Sequence, residues 1–253
     1  MQIIEHSAKV WGLCPVDFDS TLRWIERAAR VCYNSQDRIT EDSAKPFVER
    51  LLRKGHYGIL EHSCLARVAF GYNDLSRFIR QIPGTGTMVG SWLAWCHWWG
   101  ETPHIDIPEW HAGHDFRDNP LWRVTVEFVT DRTISHQLVR HRPASFLQRS
   151  QRYVRELDPI VVKGGWSLSP RGIATVQAAF DTYRALLDDG LRPEQARAVL
   201  PNCTATIVVM TTTVEHLHYI VNLRSTKACD PGMRALMASL CAELEKEEWW
   251  HVR

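Results

Sequence analysis

The sequence has almost no net charge, no closely spaced cysteine pair and no long apolar run, and each absence removes a class of function. Its formal charge is +1 over 253 residues. Neither a highly basic nucleic-acid coat nor an acidic disordered tail is indicated by that total, so any charge signal must be local. The seven cysteines (Cys14, Cys32, Cys64, Cys96, Cys203, Cys229, Cys241) are odd in number and widely spread. Without a C-x-x-C pair they suggest neither a zinc knuckle nor a redox dithiol, and they read as reduced, mostly buried thiols of a cytoplasmic protein. Met1 to Val10 lacks a basic start followed by an apolar run, and no later stretch stays apolar long enough to cross a bilayer. There is no GxGxxG element either, which excludes a Rossmann-type cradle for a dinucleotide.

What is present is the composition of a globular protein, 45% hydrophobic and 23% charged. From Asp19, read as an N-cap, Leu22, Ile25, Ala28, Ala29 and Cys32 recur at helical spacing. A second helix begins near Ser43 and stops at Gly55, which suits a left-handed C-cap. Cys64 to Phe70 and Arg123 to Thr130 alternate as strands do, and each leads into a helical pattern, Asp74 to Gln81 and Asp131 to Arg142. Between these units, a Trp-rich segment at about 82–121 reads as an insertion. Its run Trp92, Leu93, Trp95, Cys96, Trp98 and Trp99 is apolar on nearly every side, which calls for burial all round. A lid, a subunit contact or a satellite core under a long loop would supply it. After Gly165 the pattern is mainly helical: Ile173 to Asp189, Pro193 to Leu200, Thr213 to Arg224 and Pro231 to Glu248, with Asn202 to Thr212 as a strand. Helices and strands that do not alternate regularly predict an α+β fold, read as one domain over 1–253.

One segment concentrates the missing charge. Between Arg132 and Arg155 stand six arginines, Arg132, Arg140, Arg142, Arg149, Arg152 and Arg155, without one Asp or Glu. If Thr133 to Arg142 is helical, Gln137, Arg140 and His141 share a face. Pro143 then forces the chain out of the helix, and an extended loop, Pro143 to Tyr153, returns Ser145, Gln148, Arg149, Ser150 and Arg152 toward it. Guanidinium groups grip phosphate oxygens bidentately and stay charged at any working pH. A salt-bridged surface helix and a nucleic-acid patch are the competing readings.

The run from Ser135 to Tyr153, with Arg140-His141-Arg142, then Ser150 after seven residues and Arg152 two further on, resembles the signature of flavin-dependent thymidylate synthases. Ala28-Ala29-Arg30-Val31, Gly55-His56 with Glu61-His62, and Ala196 to Pro201 followed by Asn222-Leu223-Arg224 agree in order. The resemblance implies a central, mainly antiparallel sheet with flanking helices. It also implies reductive C5 methylation of a uridine monophosphate, with FAD, NADPH and methylenetetrahydrofolate, by a homotetramer whose sites lie between subunits. By it, Gln137, Arg140, Gln148, Arg149, Ser150, Gln151, Arg152 and Arg197 surround the uridylate. Arg224 holds the uracil edge and stabilises the ionised ring, the catalytic role. His56, Gly58, Glu61, Arg140, His141, Arg142, Pro143, Gln148, Thr213, Glu215 and Tyr219 fall at cofactor positions.

Several residues depart from that pattern or invite another reading. Relatives usually carry a hydroxyl residue where Gly58 stands, and Asn and Arg where Thr213 and Glu215 stand, so Glu215 reverses a charge expected beside an anionic cofactor. Those changes point to a specialised branch, similar to the enzymes of peptidyl-nucleoside antibiotic pathways such as polyoxin that accept UMP as well as dUMP. Ser150 and Cys203 are candidate nucleophiles by residue type, but Ser150 lacks an adjacent base and Cys203 has packed-thiol surroundings. His104, His111 and His114 do not complete a metal site. A nucleic-acid binding protein, and a nucleotide-binding homologue that has lost flavin, remain the alternatives to the enzyme.

Overall fold

The computed structural model describes residues 1–68, 79–105 and 117–251. The chain runs β1 (Gln2–Ile4), β2 (Ser7–Leu13), α1 (Phe18–Tyr33), α2 (Ala44–Arg53), β3 (Leu65–Val68), β4 (Ile79–Gln81), β5 (Thr87–Gly90), α3 (Trp92–Trp99) and β6 (Arg123–Asp131). It continues with α4 (Arg132–Leu138), β7 (Ser145–Gln148), β8 (Ile160–Val162), α5 (Pro170–Asp188), α6 (Pro193–Ala196), β9 (Ala205–Thr213), α7 (Val214–Arg224) and α8 (Pro231–Leu244). Helices mix with two antiparallel sheets and the parallel pair β1-β8 without regular alternation, so the fold is α+β.

The four-stranded sheet, in the order β2-β6-β9-β7, organises the molecule, and all of its pairings are antiparallel. The period of two along a strand decides what each face meets. Val124, Val126 and Phe128 of β6 and Val208 and Met210 of β9 are fully buried against Ile134 and Leu138 of α4, Leu217 and Ile220 of α7, and α8. On α8 the inward residues Met233, Leu236, Met237, Leu240 and Leu244 follow helical spacing. Each large apolar side chain so buried contributes about 1.5–3 kcal/mol. The opposite face of the sheet packs Val209 against Ala28 and Val31 of α1, and it carries Thr125 and Thr211 as well.

A second core joins α1 and α2 to the three-stranded sheet β3-β5-β4 and to α3. Trp92 and Trp95 of α3 are 1% exposed there, beside Leu22, Ile25, Phe47, Leu51 and Leu60. The Trp-rich run is therefore neither a detachable lid nor a satellite cluster, because its indoles fill the same core as the first two helices. A buried ion pair braces that core, with Arg30 Nη2 2.7 Å from Glu26 Oε1 and Ser43 Oγ donating to Glu26 Oε2 at 2.9 Å.

Four expectations change. The helix read over Asp74 to Gln81 is strand β4 where it is described: Ile79 is buried, Arg80 and Gln81 are exposed, and all three pair with β5. Residues 69–78 lie outside the described residues, as do His111 and His114. The N-cap of α1 is Asp17, whose Oδ1 accepts from Ser20 N, rather than Asp19. Helix α4 ends at Leu138, so Arg140, His141 and Arg142 stand on the connection that precedes Pro143. The loop after Pro143 is not free, since Ser145–Gln148 joins the central sheet as β7 and supplies its edge pairing to β9. Sheet pairing satisfies backbone groups that an open loop would leave to water.

Candidate functional site

Strand β7 separates two groups of expected residues. Gln148 ends it on the face covered by α4, and its Nε2 donates to Ser135 Oγ and Thr206 Oγ1, each at 3.2 Å. Ser135 shares α4 with Arg132 and His136, and Arg197 stands close enough to Arg132 for their charges to interact. Arg132 donates to His136 Nε2 at 3.4 Å, and burial together with the nearby Arg197 charge holds Arg132 below its ordinary value. Ser150 N donates to Cys32 O at 3.0 Å, which ties the arginine-rich turn to the end of α1. The Ser150 hydroxyl accepts from Arg152 N at 3.3 Å and serves the turn. Gln151 is buried, and its Nε2 has no hydrogen-bond partner among the described residues.

The arginine field is less naked than the sequence suggests. Arg149 Nη2 lies 2.9 Å from Glu156 Oε2, and Arg152 Nη2 lies 3.3 Å from Glu194 Oε2. Glu156 follows the counted stretch by one residue, and Glu194 arrives from α6. Arg149 is consequently a braced, half-buried cation. Arg152 keeps a half-exposed guanidinium. Arg140 and Arg142 are exposed and have no carboxylate partner among the described residues.

The second group forms where the Arg140 to Pro143 connection meets α7. Arg224 Nε donates to His141 Nε2 at 2.8 Å. Burial, then the Arg224 and His216 charges, hold the His141 imidazole down to about 4, so it is neutral at ordinary pH and available as an acceptor. His216 presents an edge to His141 and stacks on Tyr219, with ring centroids 5.5 Å apart. Its Nε2 is buried without a partner among the described residues. Two segments remote in sequence thus fix one guanidinium. His218 points elsewhere and stacks on Trp250.

The remaining cofactor positions are split between two segments. His56 and Gly58 are exposed and Glu61 half-buried along the 3-10 turn Tyr57–Glu61. A Cβ at Gly58 would meet open space, so its lack of a side chain answers no steric demand. Thr213 caps α7 by accepting from His216 N at 3.2 Å, and Glu215 lies 3.6 Å from Arg80 of β4. Cys203 is buried, which pushes its thiol up to about 11 and makes it packing rather than a nucleophile.

A buried polar chain under the α1 face escaped sequence reasoning. Trp24 Nε1 donates to Thr125 Oγ1 at 3.0 Å, Thr125 and Thr211 hydroxyls lie 2.7 Å apart, and His62 Nδ1 is 2.8 Å from Thr211 Oγ1. Arg123 joins it, donating to Ser145 Oγ at 3.0 Å and Thr211 O at 3.1 Å. The only advance signal was an arginine opening a strand whose alternate positions are apolar. Burial and then the Arg123 charge hold His62 down to about 3.

These two neutral histidines set a pH dependence. The unfolded chain takes protons near 6.5, whereas the folded chain takes them only near 4 at His141 and near 3 at His62. The unfolded state therefore binds more protons over that window, and stability is full above it and lost as pH falls through it. The urea midpoint is expected to drop between pH of about 7.5 and about 5, and less steeply in His62→Gln. A midpoint indifferent to this change in both proteins contradicts the assignment.

Comparison with known proteins places the sequence in a family. A family profile described as "Thymidylate synthase complementing protein" matches residues 121–248, just over half of the chain. The chain is 28% identical over 229 residues to the flavin-dependent thymidylate synthase of Geobacter sulfurreducens, a match covering 85% of this chain and 74% of that protein. It is 31% identical over 141 residues to the enzyme of the same name from Saccharolobus solfataricus, covering 54% of each. The flavin-dependent thymidylate synthase of Mycolicibacterium gilvum is 27% identical over 242 residues, covering 87% of this chain and 74% of that protein. The matched segment takes in β6, α4, the Arg-His-Arg connection, β9 and α7, and on that ground the chain belongs to the thymidylate synthase complementing protein family.

Proposed function

We propose that the chain catalyses flavin-dependent reductive methylation at C5 of a uridine monophosphate. Methylenetetrahydrofolate is then the carbon donor, NADPH the reductant and FAD the bound cofactor. The observation that carries this reading is the guanidinium of Arg224, held at 2.8 Å on a neutral His141 beside the Arg140 to Pro143 connection. C5 of uracil becomes nucleophilic as charge moves onto the ring oxygens and N3, and a fixed cation favours that shift without reorganising at the moment of reaction. In this reading Gln137, Arg140, Gln148, Arg149, Ser150, Gln151, Arg152 and Arg197 bind the nucleotide, and the buried Nε2 of Gln151, which has no partner among the described residues, is a donor that suits it.

The donor set fits a flavin nucleotide at the Arg-His-Arg connection. Arg140 and Arg142 offer exposed cations there, and His216, whose ring meets His141 edge-on, has a buried Nε2 without a partner among the described residues. The flavin, when bound, supplies the hydride, and His56, Glu61, Arg140, His141, Arg142 and Pro143 hold and orient it. The two residue groups stand at opposite ends of β7 within one chain, which supports a homotetramer whose sites are completed between subunits. The same reading takes 1–253 as one domain of the thymidylate synthase complementing protein fold, acting in the cytoplasm. Among the described residues no helix is long and apolar enough to cross a membrane.

A nucleotide-binding homologue without flavin is the reading that Glu215 favours, since it sets a carboxylate at a cofactor position. A nucleic-acid surface is weakened by the pairing of Arg149 and Arg152 with glutamates. Flavin content of the purified protein, and salt-sensitive binding of nucleic acid, separate the three. The divergence at Gly58, Thr213, Glu215 and Tyr219 supports a specialised branch such as nucleoside-antibiotic biosynthesis. UMP is then turned over as well as dUMP when both are offered in one assay, and activity confined to dUMP defeats that assignment.

A further inference from the structure

Strand β4 lies outside the residues matched by the family profile, yet its Arg80 reaches the start of α7. Ile79 is buried in the core beside Ile59 and Leu60, and alternation along the strand turns Arg80 to the other side. There Arg80 Nη2 stands 3.6 Å from Glu215 Oε2, with both side chains about half exposed (52% and 57%). Glu215 and Tyr219 are four residues apart on α7, so their side chains share a face at roughly 5–6 Å. Tyr219 is 55% exposed, and its ring is backed by the nearly parallel imidazole of His216 at 5.5 Å.

The backbone at this helix start has nothing left to offer a ligand. Val214 N donates to Trp122 O at 3.0 Å, Glu215 N to Pro120 O at 2.9 Å and His216 N to Thr213 Oγ1 at 3.2 Å. An anion arriving there must find a side-chain cation. A single exposed carboxylate pair does not exhaust a guanidinium, which has five N–H donors in a planar fork. A cation steadied one helical turn from a backed, exposed aromatic face is the chemistry that receives a planar base carrying a phosphate.

We propose that Arg80 and Tyr219 form a two-point site for the adenylate end of the flavin dinucleotide, Tyr219 stacking the base and Arg80 holding a phosphate oxygen. Glu215 steadies the Arg80 guanidinium. The charge reversed at position 215 is thereby restored by a strand from elsewhere in the chain. This rests on the flavin reading and assigns the part of the ligand that riboflavin lacks.

The test compares binding of FAD and of riboflavin by the full-length chain, through quenching of flavin fluorescence, in wild type, Arg80→Gln and Tyr219→Ala. FAD is expected to bind roughly tenfold more weakly in each variant, while riboflavin affinity and the thermal midpoint stay at the wild-type value. Equal weakening of FAD and riboflavin, or FAD affinity unchanged in both variants, overturns the assignment and leaves the flavin reading standing. A wild-type chain that binds neither ligand overturns the flavin reading and this site together. Glu215→Gln separates support from repulsion: weaker FAD binding is expected if the carboxylate steadies Arg80, and tighter binding shows that Glu215 only opposes the phosphate, which removes that role.

Discussion

Changing Arg224 to lysine is expected to lower kcat by roughly 10²–10³-fold while the folded state survives. The guanidinium lies at the end of α7, half-buried, with Nε spent on His141 at 2.8 Å. That one bond fixes the plane of the group and leaves its outer N–H donors aimed away from His141. Lysine keeps the charge and loses both the plane and the second donor, so it cannot present a fork to a developing oxyanion. The loss is expected in kcat more than in KM, because the interaction strengthens as charge builds on the ring. Far-UV circular dichroism and the thermal midpoint provide the control. A variant within about threefold of wild-type kcat would show that Arg224 merely caps its helix, the ordinary role of a cation at a helix C-terminus.

Trp95→Ala is expected to cost about 3–5 kcal/mol of folding stability. Trp95 is 1% exposed, lies 5.4 Å from a nearly parallel Trp99 and 5.2 Å from Trp98, and donates from Nε1 to Leu65 O at 3.4 Å. Removing the indole opens a cavity between α3 and the helices α1 and α2 and also leaves the Leu65 carbonyl without that donor. Since a domain is stable by only about 5–15 kcal/mol, the variant is expected to have a sharply lower urea midpoint or to be recovered unfolded. Stability reduced by less than about 1 kcal/mol would mean that the Trp-rich run opens without disturbing the core, as a lid does.

What the sequence disclosed depended on how local the signal was. The stripe on α1, the alternation of β6, the helix α5 read from Ile173 and the proline-opened helices α6 and α8 are written in neighbouring residues, and the structure has them within a few positions. The arginine-rich stretch was legible because charge and its absence are both countable. Its partners were not. Glu194 reaches Arg152 from α6, and Arg80 reaches Glu215 from β4, through tertiary placement that no spacing encodes. Strand β4 itself spans three residues, too few for a period to be distinguished from a helix turn. The burial of Arg123 had no local signal: it is 8% exposed because Ser145 of β7 and the Thr211 carbonyl of β9 accept its donors. His141 was grouped on a helical face with Arg140, but leaving the helix is what lets it bury and accept from Arg224.

The central claim is that cations from separate segments seat a uridylate beside a reduced flavin, and single-turnover chemistry tests it most directly. The FAD-loaded chain, reduced and held without oxygen, is mixed with methylenetetrahydrofolate in the presence or absence of UMP or dUMP. Flavin reoxidation is followed by absorbance, and the nucleotide is weighed by mass spectrometry. Reoxidation that requires both the folate and a uridylate, with a 5-methylated nucleotide as product, is the predicted result. A chain that takes up no flavin, or a nucleotide returned unmethylated while the flavin reoxidises regardless, contradicts it.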